Sequence, residues 1–176
     1  MRLKLFVFAS MLAGLLAGTP QTSRASDAVY ATIPDGSVVG RGTLSYAFWD
    51  VYDVTLVAPR GQWRQDKPFA LSITYHRAFS GKDIAERSVQ EIRKQGFSDE
   101  ARLAHWKNAM QTLFPDVTPG MTLTAVYQPN QKTIFYQGNR LIGTIKDELF
   151  GPLFFDIWLS EKTSEPDLRR ALLGSR

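Results

Sequence analysis

Residues Lys146–Leu159 read KDELFGPLFFDIWL, and the fold turns on how this run is taken. Wound as an α-helix, it stacks Leu149, Leu153 and Ile157 at i, i+4 and i+8, with Phe150, Phe154 and Trp158 as the neighbouring row. Together these rows make an apolar face wider than about 100°. Asp147, Glu148, Asp156 and Glu161 fall beside or beyond it. Gly151 and Pro152 sit in the middle. An interior proline removes a backbone donor and clashes with the preceding turn, at a cost of about 3 kcal/mol. The spacing therefore predicts a kink or short break there, which either carries strain or shapes the wall of a cavity.

Beyond this run, Thr163-Ser164-Glu165-Pro166-Asp167 is a helix-start signal: a hydroxyl cap, proline in the first turn and an acid facing the helix dipole. Leu168, Ala171 and Leu172 give a short amphipathic helix closed by Gly174. Working back towards the N-terminus, β patterns come first. Arg140 to Thr144, Thr133 to Gln137 and Met121 to Gln128 read as a meander with turns at Pro129–Lys132 and Gly138-Asn139. Before it lie two predicted helices. One is capped by Ser80 with Asp83 and stopped by Gly96; the other opens at Ser98 and ends at Pro115.

Three earlier segments alternate with period two. Phe69, Leu71, Ile73 and Tyr75 share one face of the third, and Tyr52, Val54, Leu56 and Ala58 share the more apolar face of the second, Trp49–Ala58. The first, Ser37–Phe48, carries Gly40 and Gly42 where another backbone or a ligand comes close. Asp27 to Gly36 is polar and irregular, with a turn at Pro34-Asp35-Gly36. The order is βββ-αα-βββ-αα. It predicts an α+β fold, an antiparallel sheet with its helices packed on one face.

Residues 1–25 read as a signal peptide rather than as part of the domain. Arg2 and Lys4 precede the apolar run Leu5 to Gly18, and Ser23-Arg24-Ala25 fits a small-x-small cleavage site. The run is shorter than the roughly 20 residues that span a bilayer. The expectation is a periplasmic or secreted protein cleaved after Ala25, with residues 26–176 as a single domain and no membrane-spanning segment left. Removing residues 1–25 takes away three of the 21 Lys and Arg and no acid, leaving 18 against 17 Asp and Glu, a balance of about +1. A nucleic-acid partner then loses its electrostatic support. With no cysteine, the exported chain is held together by packing alone.

Sites with a defined chemistry are few. His76 and His105 lack a second metal-type ligand at i+4, no glycine-rich phosphate loop follows a strand, and no nucleophile elbow is present. No metal and no cofactor are expected. Asp50 and Asp53 read as solvent-facing, and one acid makes no catalytic dyad. Arg41, isolated between glycines on a strand, is the one cation singled out, because a guanidinium there reaches a carboxylate bidentately. An exposed strand arginine is the plainer reading.

The order of elements, the Val51-Tyr52-Asp53 strand, the F-x-x-I-W-L helix at Phe154–Leu159 and the terminal R-x-x-L-L-G at Arg169–Gly174 resemble the bacterial chalcone isomerase-like family over residues 38–173. The resemblance implies an open-faced β-sandwich, a long antiparallel sheet covered by helices with a cleft between. In the plant enzymes that cleft carries an arginine on an early strand and a threonine on the next. A tyrosine and an asparagine come from the helix after the third strand, and a hydroxyl from the late helix. The family also includes plant fatty-acid-binding proteins, in which the arginine holds the carboxylate.

Carried onto this chain, those positions fall at Arg41, Tyr52, Ile84, Glu91 and Gly151, with Arg87 and Ser88 alongside on the same helix. Most of the polar set that stabilises an enolate is replaced, and an anionic Glu91 disfavours a phenolate beside it. No catalytic residue is assigned. The leading expectation is a non-catalytic protein holding a small apolar ligand such as a fatty acid, with Arg41, or else Arg87, on the carboxylate. Two alternatives stay open. An isomerase or lyase would bring Tyr52 and Glu91, as acid and base, within hydrogen-bond reach of one another or of one water. A protein-interaction domain would have a closed core and an exposed aromatic patch around Trp63.

Overall fold

The computed structural model describes residues 32–129 and 131–174; the predicted signal segment 1–25 lies outside them. The strands are β1 (Gly36–Tyr46), β2 (Trp49–Pro59), β3 (Phe69–Tyr75), β4 (Thr122–Gln128), β5 (Lys132–Gln137) and β6 (Arg140–Ile145). Helices α1 (Gly81–Lys94) and α2 (Glu100–Leu113) stand between β3 and β4, and α3 (Phe150–Leu159) and α4 (Pro166–Leu172) follow β6. The strands pair in sequence order, all antiparallel, in one six-stranded sheet. The expected α+β architecture and element order are both present.

Alternation along the strands sorts the sheet into two faces. Val54, Leu56, Phe69, Leu71, Ile73, Tyr75, Tyr127 and Phe135 point to the helices and join the main core. The opposite face buries only a small cluster of Val57, Ala70, Val126 and Ile134 under Ile33. On the helical side, α1 lays Ala85, Val89 and Ile92 on the core, and α2 contributes Leu103, Trp106 and Met110. At the start of α1, Ser80 Oγ accepts from Asp83 N at 3.1 Å, as its sequence foretells. At α2 the cap is Asp99 rather than Ser98, its carboxylate accepting from Arg102 N at 3.0 Å.

The deciding helix differs from its sequence reading in one respect that matters. It starts at Phe150, so Gly151 and Pro152 occupy its first turn and no break exists. A first-turn residue has no intrahelical acceptor for its N–H, so proline there costs nothing. Asp147 sets this start: its carboxylate accepts from Leu149 N at 2.9 Å and its carbonyl from Phe150 N at 3.2 Å. The same side chain accepts from the Trp106 indole at 2.9 Å and fixes α2 against the entrance to α3. Leu149 is therefore half out of the core, whereas Phe150, Phe154, Phe155, Ile157, Trp158 and Leu159 are buried. Gly151 lies flat on β4: a Cβ there would stand 2.7 Å from the Tyr127 ring and 3.0 Å from Thr133 Oγ1.

The close approach expected at Gly40 and Gly42 is made by α4. A Cβ on Gly40 would lie 2.3 Å from the Ala171 carbonyl oxygen, and one on Gly42 would lie 2.6 Å from a Leu168 methyl. Proline opens α4 as expected, but no hydroxyl caps it. Thr163 instead donates to the Ile157 carbonyl at 2.6 Å and accepts from Glu165 N at 3.1 Å, pinning the turn between α3 and α4.

Candidate functional site

Between the helical face of the sheet and helices α1 and α3 lies a cavity of about 610 Å³. That is within the roughly 300–1,000 Å³ range of small-molecule sites. Its floor is Leu71, Ile73, Leu123, Ala125 and Phe135, its far wall Phe154, Ile157 and Trp158, and its near wall Leu44, Val51 and Tyr52 of the β1–β2 hairpin. Strand alternation and the helical i, i+3, i+4 rule together aim these side chains at one space. Ile84, Arg87, Ser88 and Glu91, one flank of α1, close the remaining side.

Part of the polar lining forms a linked set around Glu91, while Asp83 and Glu165 also border the cavity. Glu91 is the anchor, its side chain only 7% exposed. It forms an ion pair with Arg87 at 2.8 Å and accepts from Lys94 Nζ at 2.9 Å and from Ser164 Oγ at 2.9 Å, the last joining α1 to the loop before α4. Burial alone would raise the Glu91 carboxyl, but the hydrogen bonds from Lys94 and Ser164 and the nearby Arg87 charge outweigh it and hold it below the ordinary value. Glu91 is thus a carboxylate with both oxygens engaged by the protein. The Ser88 hydroxyl is also occupied, donating to the Ile84 carbonyl at 2.8 Å.

Tyr52 behaves differently. Its oxygen accepts from the Trp158 indole at 3.2 Å, which leaves the phenolic hydrogen free to donate to a ligand. Burial, partly offset by the Trp158 hydrogen bond, pushes this phenol up to about 12, so near neutral pH it is a donor and no base. Tyr75 packs edge-on against it at 6.0 Å between ring centres. Burial raises that phenol too, and its hydroxyl has no protein partner among the described residues. Tyr52 and Glu91 line the same cavity and share no direct hydrogen bond.

Five of the seven expected site residues, Tyr52, Ile84, Arg87, Ser88 and Glu91, line this cavity together. Arg41 and Gly151 do not. Arg41 pairs with Thr55 and is exposed on the sheet face away from the helices, because its neighbours Gly40 and Gly42 take the inward positions. Gly151 is spent on packing against Tyr127 and Thr133. Sequence reasoning missed Tyr75, Trp158 and Ser164 as cavity groups. Each carried a signal that also fitted a structural role: strand alternation, a core row and a helix start. Trp63 is half-buried edge-on against Phe69, so the aromatic patch expected around it is absent, and the core is not closed.

The one histidine in an ion pair among the described residues lies outside the cavity lining. His76 meets Asp53 at 2.9 Å, and Asp53 accepts from Thr43 at 2.6 Å, all at half-exposed positions on β1, β2 and the end of β3. Among the described residues no three His, Asp or Glu side chains come together as a metal site. No described helix is long and apolar enough to cross a membrane.

Comparison with known proteins agrees with this architecture. An uncharacterized protein of Haemophilus influenzae (strain ATCC 51907 / DSM 11121 / KW20 / Rd) is 26% identical over 137 residues, 77% of this chain and 67% of that protein. The crystal structure of an Arabidopsis thaliana fatty-acid binding protein superposes with a TM-score of 0.62, covering 85% of this chain and 90% of that one. At 13% identity that likeness establishes a shared fold. The sequence profile of the chalcone isomerase-like family matches residues 38–174. With nearly all of the described sheet and helices inside that match, the chain belongs to the chalcone isomerase-like family.

Proposed function

We propose that this chain is an exported, non-catalytic binding protein for a small apolar molecule of the fatty-acid class, held in the cavity between the sheet and helices α1 and α3. The observation that carries the reading is the cavity itself: about 610 Å³, walled mostly by aliphatic and aromatic side chains, with its charged groups, Asp83, Arg87, Glu91 and Glu165, gathered on the side of α1 and the loop before α4. Folded cores are close-packed, so a space of this size among aromatic residues is of the kind that takes up a small apolar ligand. The fatty-acid binding protein from Arabidopsis thaliana, which shares the fold, supports the ligand class. Export and cleavage after Ala25 are supported by the basic, apolar and small-residue pattern of residues 1–25.

In this reading the ligand tail lies over Leu71, Leu123, Ala125 and Phe154. Its head takes the free hydrogen of Tyr52 and the guanidinium nitrogens of Arg87 not engaged by Glu91. Arg87 is 62% exposed and contacts Glu91 through one nitrogen, so donors remain for a carboxylate. Titration calorimetry with a long-chain fatty acid tests the assignment. Arg87→Ala is expected to weaken binding about ten-fold, the scale of one charge-assisted hydrogen bond. Arg41→Ala is expected to leave it unchanged, since that side chain faces away. Absence of binding by the wild-type protein, or a loss in Arg41→Ala equal to that in Arg87→Ala, would sink the reading.

A further inference from the structure

The turn joining β1 to β2 carries three aromatic side chains that the core does not use. Tyr46 is 79% exposed, Phe48 98% and Trp49 62%. Tyr46 and Trp49 are the last paired residues of the hairpin, and Ala47 closes the turn at φ 55°, in the left-handed region. Arg77, just beyond β3, holds its guanidinium carbon 5.1 Å from the centre of the Trp49 ring. Asp50 is tied back by Ser45 Oγ at 2.7 Å.

The same hairpin forms the near wall of the cavity through Leu44, Tyr46, Val51 and Tyr52. Tyr46 is at once exposed and part of that wall, as are Ser45 beside it, Asp83 and Arg87 on α1 and Ser164, so the tip forms one stretch of the cavity rim. Single exposed aromatics need no explanation, but three on one convex tip make a patch of the kind that marks a contact site. A two-residue turn offers little of the roughly 800 Å² per partner that a stable protein interface buries. Its chemistry is that of a bilayer interface. Tyr and Trp rings sit at headgroup level with an apolar body and a polar edge, a Phe reaches deeper, and a guanidinium stays with the phosphates.

Resting on the apolar-ligand reading above, we propose that the β1–β2 tip docks this stretch of the cavity rim on a lipid bilayer, so that ligand passes between membrane and cavity without crossing water. Phe48 and Trp49 enter the interface, Tyr46 spans from interface to cavity, and Arg77 pairs with lipid phosphate. The formal charges beside the tip, Asp50 and Arg77, balance, so the attachment depends only weakly on salt and does not require anionic lipid.

The test uses the double variant Phe48→Ser/Trp49→Ser, since neither side chain lines the cavity. Co-sedimentation with phosphatidylcholine vesicles and uptake of a fatty acid offered in solution are measured on the same samples. The expected result is vesicle binding at least about ten-fold weaker in the variant, with uptake from solution within about two-fold of wild type. Wild-type protein that takes up the fatty acid but ignores vesicles overturns the docking and leaves the binding reading standing. Vesicle binding without uptake supports the docking and removes the binding reading. A concentration-dependent dimer abolished in the variant, with vesicle binding unchanged, overturns the docking in favour of self-association.

Discussion

Glu91 shows at the scale of one residue how the polar side of the cavity is kept. A carboxylate this far from water is tolerated because Lys94 and Ser164 donate to it and the Arg87 guanidinium pairs with its charge. Its folded pKa is depressed, so the stability it contributes is fully present above the ordinary carboxyl value of 4.5 and is lost as pH falls through the folded value. Replacing it with Glu91→Gln is therefore expected to destabilise the protein by about 1–3 kcal/mol near pH ~7 in urea unfolding, and by much less near pH ~3. A penalty that stays constant across that range would show that the charge is not what the site uses. The residue scale is also where the sequence was legible in part. Period-two alternation aimed Tyr52 inward, and helical spacing grouped Ile84, Arg87, Ser88 and Glu91. The same alternation, followed through the inward Gly40 and Gly42, places Arg41 outside. Chemistry drew attention to that arginine where geometry should have decided.

Among elements, α3 is the one whose sequence and structure disagree. Its aromatic period runs smoothly back past Gly151-Pro152, which made those residues look like an interruption. The Asp147 carboxylate, accepting from Leu149 N and the Trp106 indole, moves the helix start to Phe150 and turns the supposed break into a first turn. Nothing in the spacing of apolar residues reports where a helix begins; here the turn at Asp147 does, and it is held by a contact to α2 that lies 41 residues away in sequence. Two substitutions separate the readings. Pro152→Ala is expected to change stability by less than about 1 kcal/mol, because no hydrogen bond is restored in the first turn. Gly151→Ala is expected to cost about 1–3 kcal/mol, because its methyl meets the Tyr127 ring and Thr133. Thermal unfolding of both variants checks the pair, and a large gain from Pro152→Ala would restore the kinked helix.

Over the whole molecule, the topology was legible and the cavity was not. Turn residues and alternation sufficed to order six strands and four helices, since consecutive antiparallel strands pair locally and helices with one apolar face must cover the sheet. Whether side chains on those faces meet or leave a space depends on volumes summed over elements far apart in sequence. Tyr75, Trp158 and Ser164 enter the cavity from three such elements. The sheet, with α1 and α3 laid across it, frames an apolar space that the β1–β2 hairpin walls on one side. Native mass spectrometry of the purified protein offered a lipid extract tests that account most directly, beside an Ala125→Phe variant that fills the cavity floor and whose fold is checked by circular dichroism. The account predicts one small apolar molecule per wild-type chain and none in the folded variant. A bare wild-type mass, or an adduct retained equally by the folded variant, would contradict it.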